Sequence, residues 1–169
     1  MSLVNVIQSS LQFLVDWEYQ LAQIRIVGET TETEIRNISD AMLSLARNLG
    51  ISHKSLSEGA ILWRQQGRTI AETIPLLEAT AKISMLTGRT MQQSVEDLTA
   101  IMKAYNFEAT QSTSIIDSMT NVMLNHAITT DTLVGAFRAV ASTASQMNVS
   151  FEKLQGIITA THAVTRTAG

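Results

Sequence analysis

Residues 45–93 read LARNLGISHKSLSEGAILWRQQGRTIAETIPLLEATAKISMLTGRTMQQ, and three short breaks organise the stretch: Gly50-Ile51-Ser52, Gly67-Arg68-Thr69 and Gly88-Arg89-Thr90. Glycine closes a helix because it takes the left-handed backbone conformation without a Cβ clash. Two residues later a Ser or Thr hydroxyl accepts a hydrogen bond from an orphan N–H of the next helix. Thr69-x-x-Glu72 and Thr90-x-x-Gln93 have capping-box spacing. Each break therefore predicts the end of one helix and the start of another.

The punctuation continues downstream. Asn148-Val149-Ser150 has the same form with Asn in place of Gly, His126-Ala127-Ile128-Thr129 is a looser copy, and Thr110 marks another expected start. The hydroxyl positions 52, 69, 90, 110, 129 and 150 are separated by 17, 21, 20, 19 and 21 residues. A period near twenty is four to five turns of helix plus a tight connection. Connections that short make neighbouring helices fold back on each other. The expected fold is all-α: an array of about eight short-to-medium helices packed as antiparallel hairpins, solenoid-like in arrangement.

Apolar residues recur at spacings of three and four, the helical period. The first stripe is Val4, Ile7, Leu11, Leu14, Glu18 and Leu21, with Glu18 interrupting it. The second is Ile35, Ile38, Met42, Leu45 and Leu49, and a short third is Leu56, Ala60 and Trp63. The fourth is Ile70, Ile74, Leu77 and Ala81; the fifth is Met91, Val95, Leu98, Met102 and Tyr105. The sixth is Ile115, Met119, Val122 and His126; the seventh is Leu133, Phe137, Val140, Ala144 and Met147; the eighth is Phe151, Leu154, Ile158 and Thr161. Residues 1–32 read as an upstream amphipathic helix, with Met1-Ser2-Leu3 resembling an added leader, and residues 33–169 as the helical domain proper. Pro75 removes a backbone donor and is expected to kink or restart the fourth helix, with Thr73 as a second N-cap. Gly59, Gly135 and Gly156 fall inside helices, where each costs up to about 1 kcal/mol relative to Ala unless it permits a close approach; close packing is the expectation.

Composition narrows the function. Apolar residues are 45% of the 169, enough for a sizeable core, while charged residues are only 16%. Twenty Thr, 16 Ser, 11 Gln and 7 Asn supply the polar surface instead. The net charge is -3 and the 12 Lys and Arg are scattered singly, so no basic stripe can track phosphates and no nucleic-acid site is indicated. The most apolar early stretch, residues 4–27, is broken by Asp16, Glu18 and Arg25 and reads as amphipathic rather than membrane-spanning. No cysteine is present, which excludes disulfides and thiolate metal sites.

No H-E-x-x-H, G-x-S-x-G or P-loop pattern occurs, so no catalytic, cofactor-binding or metal residues are assigned. His53, His126 and His162 are isolated in sequence and would form a zinc site only if the fold gathered them. Asp117 on a helical apolar pattern reads as a solvated or ion-paired carboxylate, and Glu18 as exposed or paired with Arg25, two turns on. Met42, Met85, Met91, Met102, Met119, Met123 and Met147 read as flexible core filling ahead of an adaptable groove. Trp17 and Trp63 read as packing anchors.

The order of these elements carries a resemblance. Leu45 to Ser52 is followed by Leu62-Trp63-Arg64-Gln65-Gln66-Gly67, then Leu76-Leu77-Glu78-Ala79-Thr80-Ala81-Lys82 and Thr87-Gly88-Arg89-Thr90. Next come Ala100-Ile101-Met102-Lys103-Ala104-Tyr105 and Ile116-Asp117-Ser118-Met119, and last Asn148-Val149-Ser150-Phe151-Glu152-Lys153-Leu154 with Ile157-Ile158-Thr159-Ala160. Over residues 33–169 this set resembles the core region of phage tail tape measure proteins, departing from it at Asn148, where Gly is usual. The resemblance implies a non-enzymatic structural protein of a phage or prophage tail that sets tail length and scaffolds the tube. It implies the tail tube protein and tail assembly chaperones as partners, and a place in the tube lumen after assembly in the host cytoplasm. The charge-poor surface adds an expectation of self-association. The alternative from the residues alone is a helical-repeat adaptor or effector module that binds a partner helix.

Overall fold

The computed structural model describes the backbone of residues 3–167 and the side chains of residues 7, 8 and 10–165. Eight α-helices follow one another: α1 Leu3–Ile26, α2 Glu32–Leu49, α3 His53–Gln65, α4 Ile70–Thr87, α5 Met91–Tyr105, α6 Ser112–Asn125, α7 Thr130–Gln146 and α8 Phe151–Thr167. No strand occurs among the described residues.

The punctuation forms as its chemistry dictates. Gly50, Gly67 and Gly88 have φ of 67°, 80° and 72°, and Asn148 takes the same left-handed conformation at 56°. Ser52, Thr69, Thr90, Thr129 and Ser150 each accept the backbone N–H three residues on, at 3.1–3.2 Å. Glu72 and Gln93 complete their boxes by accepting the N–H of Thr69 and Thr90 at 2.9 and 3.0 Å. A further box, Thr31 with Glu34, starts α2.

Thr110 does not start a helix. It is exposed within a 3-10 turn, Ala109–Gln111, that runs into α6. The turn is set by Asn106, left-handed at φ 53°, and by Gln111 Oε1 accepting the Glu108 N–H at 2.8 Å. His126 also departs from the pattern, closing α6 in an extended conformation. Nor does Pro75 break α4. The helix runs through it from a cap at Thr69, and the Thr73 hydroxyl donates to the Thr69 carbonyl at 2.8 Å instead of capping anything. One missing donor is outweighed because α4 is packed on both sides.

The principal contacts join each helix to its next or second-next neighbour. α1 packs on α2 and α3, α2 on α3 and α4, α3 on α4 and α5, and α4 on α5 and α6. α5 packs on α7 rather than on α6, α6 on α7 and α8, and α7 on α8; α4 with α7 is the longer step. The array is solenoid-like in this sense, but α5 and α6 are not a packed hairpin, because the 3-10 turn redirects the chain between them. The buried residues form two clusters that meet on α4. Ile70, Leu77 and Ala81 belong to the cluster with Trp17, Ile24, Ile38, Met42 and Leu56. Leu76, Ala79 and Ile83 belong to the one with Trp63, Leu98, Met119, Phe137 and Phe151.

Three expected stripes differ from the buried faces. On α1, Ile7, Leu11 and Leu14 are exposed, at 53%, 57% and 53%, whereas Trp17 and Ile24 are buried. The helix is apolar on more than one side, and docking on α3 selects the face that carries the tryptophan. On α7 Val140 and Met147 point outward while Ala141 is buried, and on α8 Thr161 is exposed while Thr159 is buried. Near the end of the array each helix has fewer neighbours, so its buried face is narrower than its apolar one. Of the internal glycines, Gly59 marks a close approach. A Cβ there would lie 2.7 Å from Met91 Cγ and 2.9 Å from Leu77 Cδ1. Nothing lies near Gly156, and only ordinary contact with Arg89 near Gly135, so close packing does not explain those two.

Candidate functional site

The three histidines do not gather. His53 opens α3 and packs edge-on against the rings of Phe13 and Trp17, at 5.1 and 5.5 Å between centroids. His126 and His162 line a small cleft of about 70 Å³ with Ile128 and Thr159, far along the array. Among the described residues no three His, Asp or Glu side chains come together as a metal-binding set. No described helix is long and apolar enough to cross a membrane.

The singled-out carboxylates are surface groups. Asp117 is 63% exposed and accepts from Lys82 Nζ at 3.2 Å, and Glu78 meets the same ammonium at 3.1 Å. Burial pulls the Lys82 ammonium down, but Glu78 and Asp117 outweigh it and hold it above its ordinary value. This triad ties α4 to α6. Glu18 is exposed, and Arg25 pairs with Glu32 at 2.7 Å instead of with Glu18, bracing the turn between α1 and α2. Met42, Met91, Met102 and Met119 fill the core, while Met85 and Met147 are exposed. Trp17 and Trp63 are both buried and anchor packing.

Two polar clasps went unread in the sequence. Asp97 on α5 is completely buried, and each of its oxygens accepts from a different guanidinium. Arg89, in the turn before α5, donates to Oδ2 at 3.0 Å, and Arg138 of α7 donates to Oδ1 at 3.0 Å. Arg89 Nε also donates to Asp131 at the start of α7, at 2.8 Å. Asp131 foremost, with Asp97, holds the Arg89 guanidinium above its ordinary value against the opposing effect of burial. A buried carboxylate is tolerated only with such partners. The available signal was Asp97 itself, an acid three residues after Ser94 and four before Ile101, on the inward face of α5.

The second clasp is Arg64. Its Nη1 donates to the Arg68 carbonyl at 2.6 Å and its Nη2 to the Thr30 hydroxyl at 3.1 Å. It thereby joins the α1–α2 turn to the α3–α4 turn, and a Cβ on Gly28 would collide with the guanidinium. Both Gly-Arg-Thr breaks thus do more than stop a helix. Arg68 offers its carbonyl to this clasp and its guanidinium to Glu72 at 3.1 Å, and Arg89 reaches two carboxylates.

Aromatic packing closes the far core. Tyr105, Phe107, Phe137 and Phe151 pack ring on ring, with Phe137 and Phe151 centroids 4.7 Å apart. Burial, with Glu152 nearby, pushes the Tyr105 phenol up. The polar groups so placed brace turns and helix seams, and what they can do chemically is hold the array in register.

A family model described as phage-related minor tail protein matches residues 39–169 of the chain. No solved structure matches it.

Proposed function

The chain belongs to the phage-related minor tail protein family, structural components of the phage tail, and from that premise we propose that it is a section of a tail tape measure protein. In this reading the parent chain spans the tail lumen and fixes tail length while the tube polymerises around it. Its partners are the tail tube protein, the tail assembly chaperones and further copies of itself, and it meets them first in the host cytoplasm.

The observation that carries the reading is the ordered run of left-handed Gly or Asn closures and hydroxyl caps at 52, 69, 90, 129 and 150. A ruler needs length accumulated in regular increments, and a capped helix every twenty residues supplies that. The charge-poor Ser, Thr and Gln surface also suits contact with a tube wall or a second copy, since few ions must be desolvated.

The test is tail length. An in-frame deletion of the segment encoding residues 33–169 from the full-length gene removes 137 residues from the ruler. At 1.5 Å per helical residue, tails are expected to shorten by roughly 200 Å in electron micrographs. Tails of normal length from that deletion would sink the ruler assignment and leave a structural tail protein of another kind.

A further inference from the structure

We infer that this fold opens in two steps, the N-terminal half-core around α1–α2 releasing before the C-terminal half-core around α5–α8, with α4 as the shared wall. The inference stands on the isolated chain and does not depend on the ruler reading.

Three features of the structure point to it. The buried apolar residues fall into two separate clusters. They share no member, and α4 presents Ile70, Leu77 and Ala81 to one and Leu76, Ala79 and Ile83 to the other. α3 is divided too, with Leu56 and Ala60 in the first cluster and Trp63 in the second.

The polar ties respect the same division. Arg64 to Thr30, Ser57 to Gln20 at 2.7 Å, and Arg25 to Glu32 all lie on the N-terminal side. Asp97 with its two arginines, Lys82 to Asp117, and Ser118 to Gln155 at 3.1 Å all lie on the other. Helix contacts limited mostly to first and second neighbours make such an array nearly one-dimensional, so stability is local and loss can start at one end.

The order of release follows from size. The N-terminal cluster holds eleven buried residues and the C-terminal one twenty among the described residues. The smaller cluster also has an outer helix, α1, whose residues 10–16 are exposed throughout. The larger one holds the buried ion network and the aromatic stack.

Each half carries its own reporter, because Trp17 lies in the first cluster and Trp63 in the second. Urea unfolding is followed by fluorescence in the single-tryptophan chains Trp63→Phe, which leaves Trp17, and Trp17→Phe, which leaves Trp63. The Trp17 signal is expected to change at lower urea than the Trp63 signal. Adding Ile38→Ala, a cavity in the first cluster, should lower the Trp17 midpoint by about 1–2 M and leave the Trp63 midpoint in place. Hydrogen exchange of the unsubstituted chain, read peptide by peptide, covers the case in which a tryptophan variant fails to fold. There, amides of α1 and α2 should lose protection at a urea concentration where those of α5 and α7 keep it. Coincident midpoints with Ile38→Ala shifting both, or simultaneous loss of protection throughout, would overturn the inference.

Discussion

Replacing Asp97 with Asn keeps the shape of the side chain and removes the charge that two guanidiniums share. Arg89 is 24% exposed and Arg138 46%, so both can recover some hydration, and the loss falls short of the 3–5 kcal/mol of a fully buried broken pair. Asp97→Asn is expected to destabilise the chain by about 2–3 kcal/mol in urea titration. A change under about 0.5 kcal/mol would make the clasp incidental. At Gly59 the helical preference for Ala opposes the space available. Alanine gains up to about 1 kcal/mol in propensity, yet its Cβ must displace a buried Met91 and Leu77, which costs about 1–3 kcal/mol. Gly59→Ala should therefore lower the melting temperature while Gly156→Ala, with open space around it, should raise it. The opposite order in calorimetry would refute the packing account of Gly59.

At the scale of the element, helix starts are where the chain is tuned. Thr90 is an exposed cap whose hydroxyl holds the Gln93 N–H at 3.2 Å, and Thr90→Ala should cost about 1 kcal/mol in denaturant midpoint analysis. The boxes at α2 and α4 add a pH dependence. The Thr31 N–H first, then its hydroxyl, hold the Glu34 carboxylate below its ordinary range, and Thr69 with Arg68 does the same for Glu72. A carboxylate depressed in the folded chain stabilises it at pH above the unfolded value, 4.5, and that contribution disappears as pH falls through the lower folded value. Melting temperatures should thus be insensitive to these groups near neutrality and fall below about pH 4.5. In Glu72→Gln part of that acid dependence should vanish; an identical acid limb in both proteins would show that the box carries no titratable energy. The capping residues were legible in sequence because a cap is a local event, decided by four consecutive residues.

On the scale of the whole molecule, α4 organises the array. Its apolar residues face both sides, so it belongs to two cores at once, and Pro75 is carried inside a continuous helix. This placement also explains why α1 is docked by half its length. The N-terminal core extends from α4 through α2 and α3 only as far as Trp17 and Ile24. Beyond that point α1 has apolar side chains and no described neighbour to bury them. The exposed Ile7, Leu11 and Leu14 make Leu11→Glu an informative surface change. The fold should tolerate it within about 0.5 kcal/mol, whereas the same substitution at the fully buried Ile38 should abolish folding, as read by circular dichroism. Equal losses at both positions would mean that the α1 stripe is buried after all.

What the residue order determined alone was everything short-range: helical character, five of the six hydroxyl starts, the left-handed closures, and the charge-poor surface that suits a structural tail protein. Those features depend on backbone sterics and hydrogen bonds within a few residues, and a linear string records them. Tertiary structure decided which of two apolar faces α1 docks, that α5 pairs with α7 across the 3-10 turn, and that Asp97 is a buried acid between two arginines 8 and 41 residues away. These outcomes depend on where distant segments meet, and a spacing pattern carries no term for a partner it does not contain.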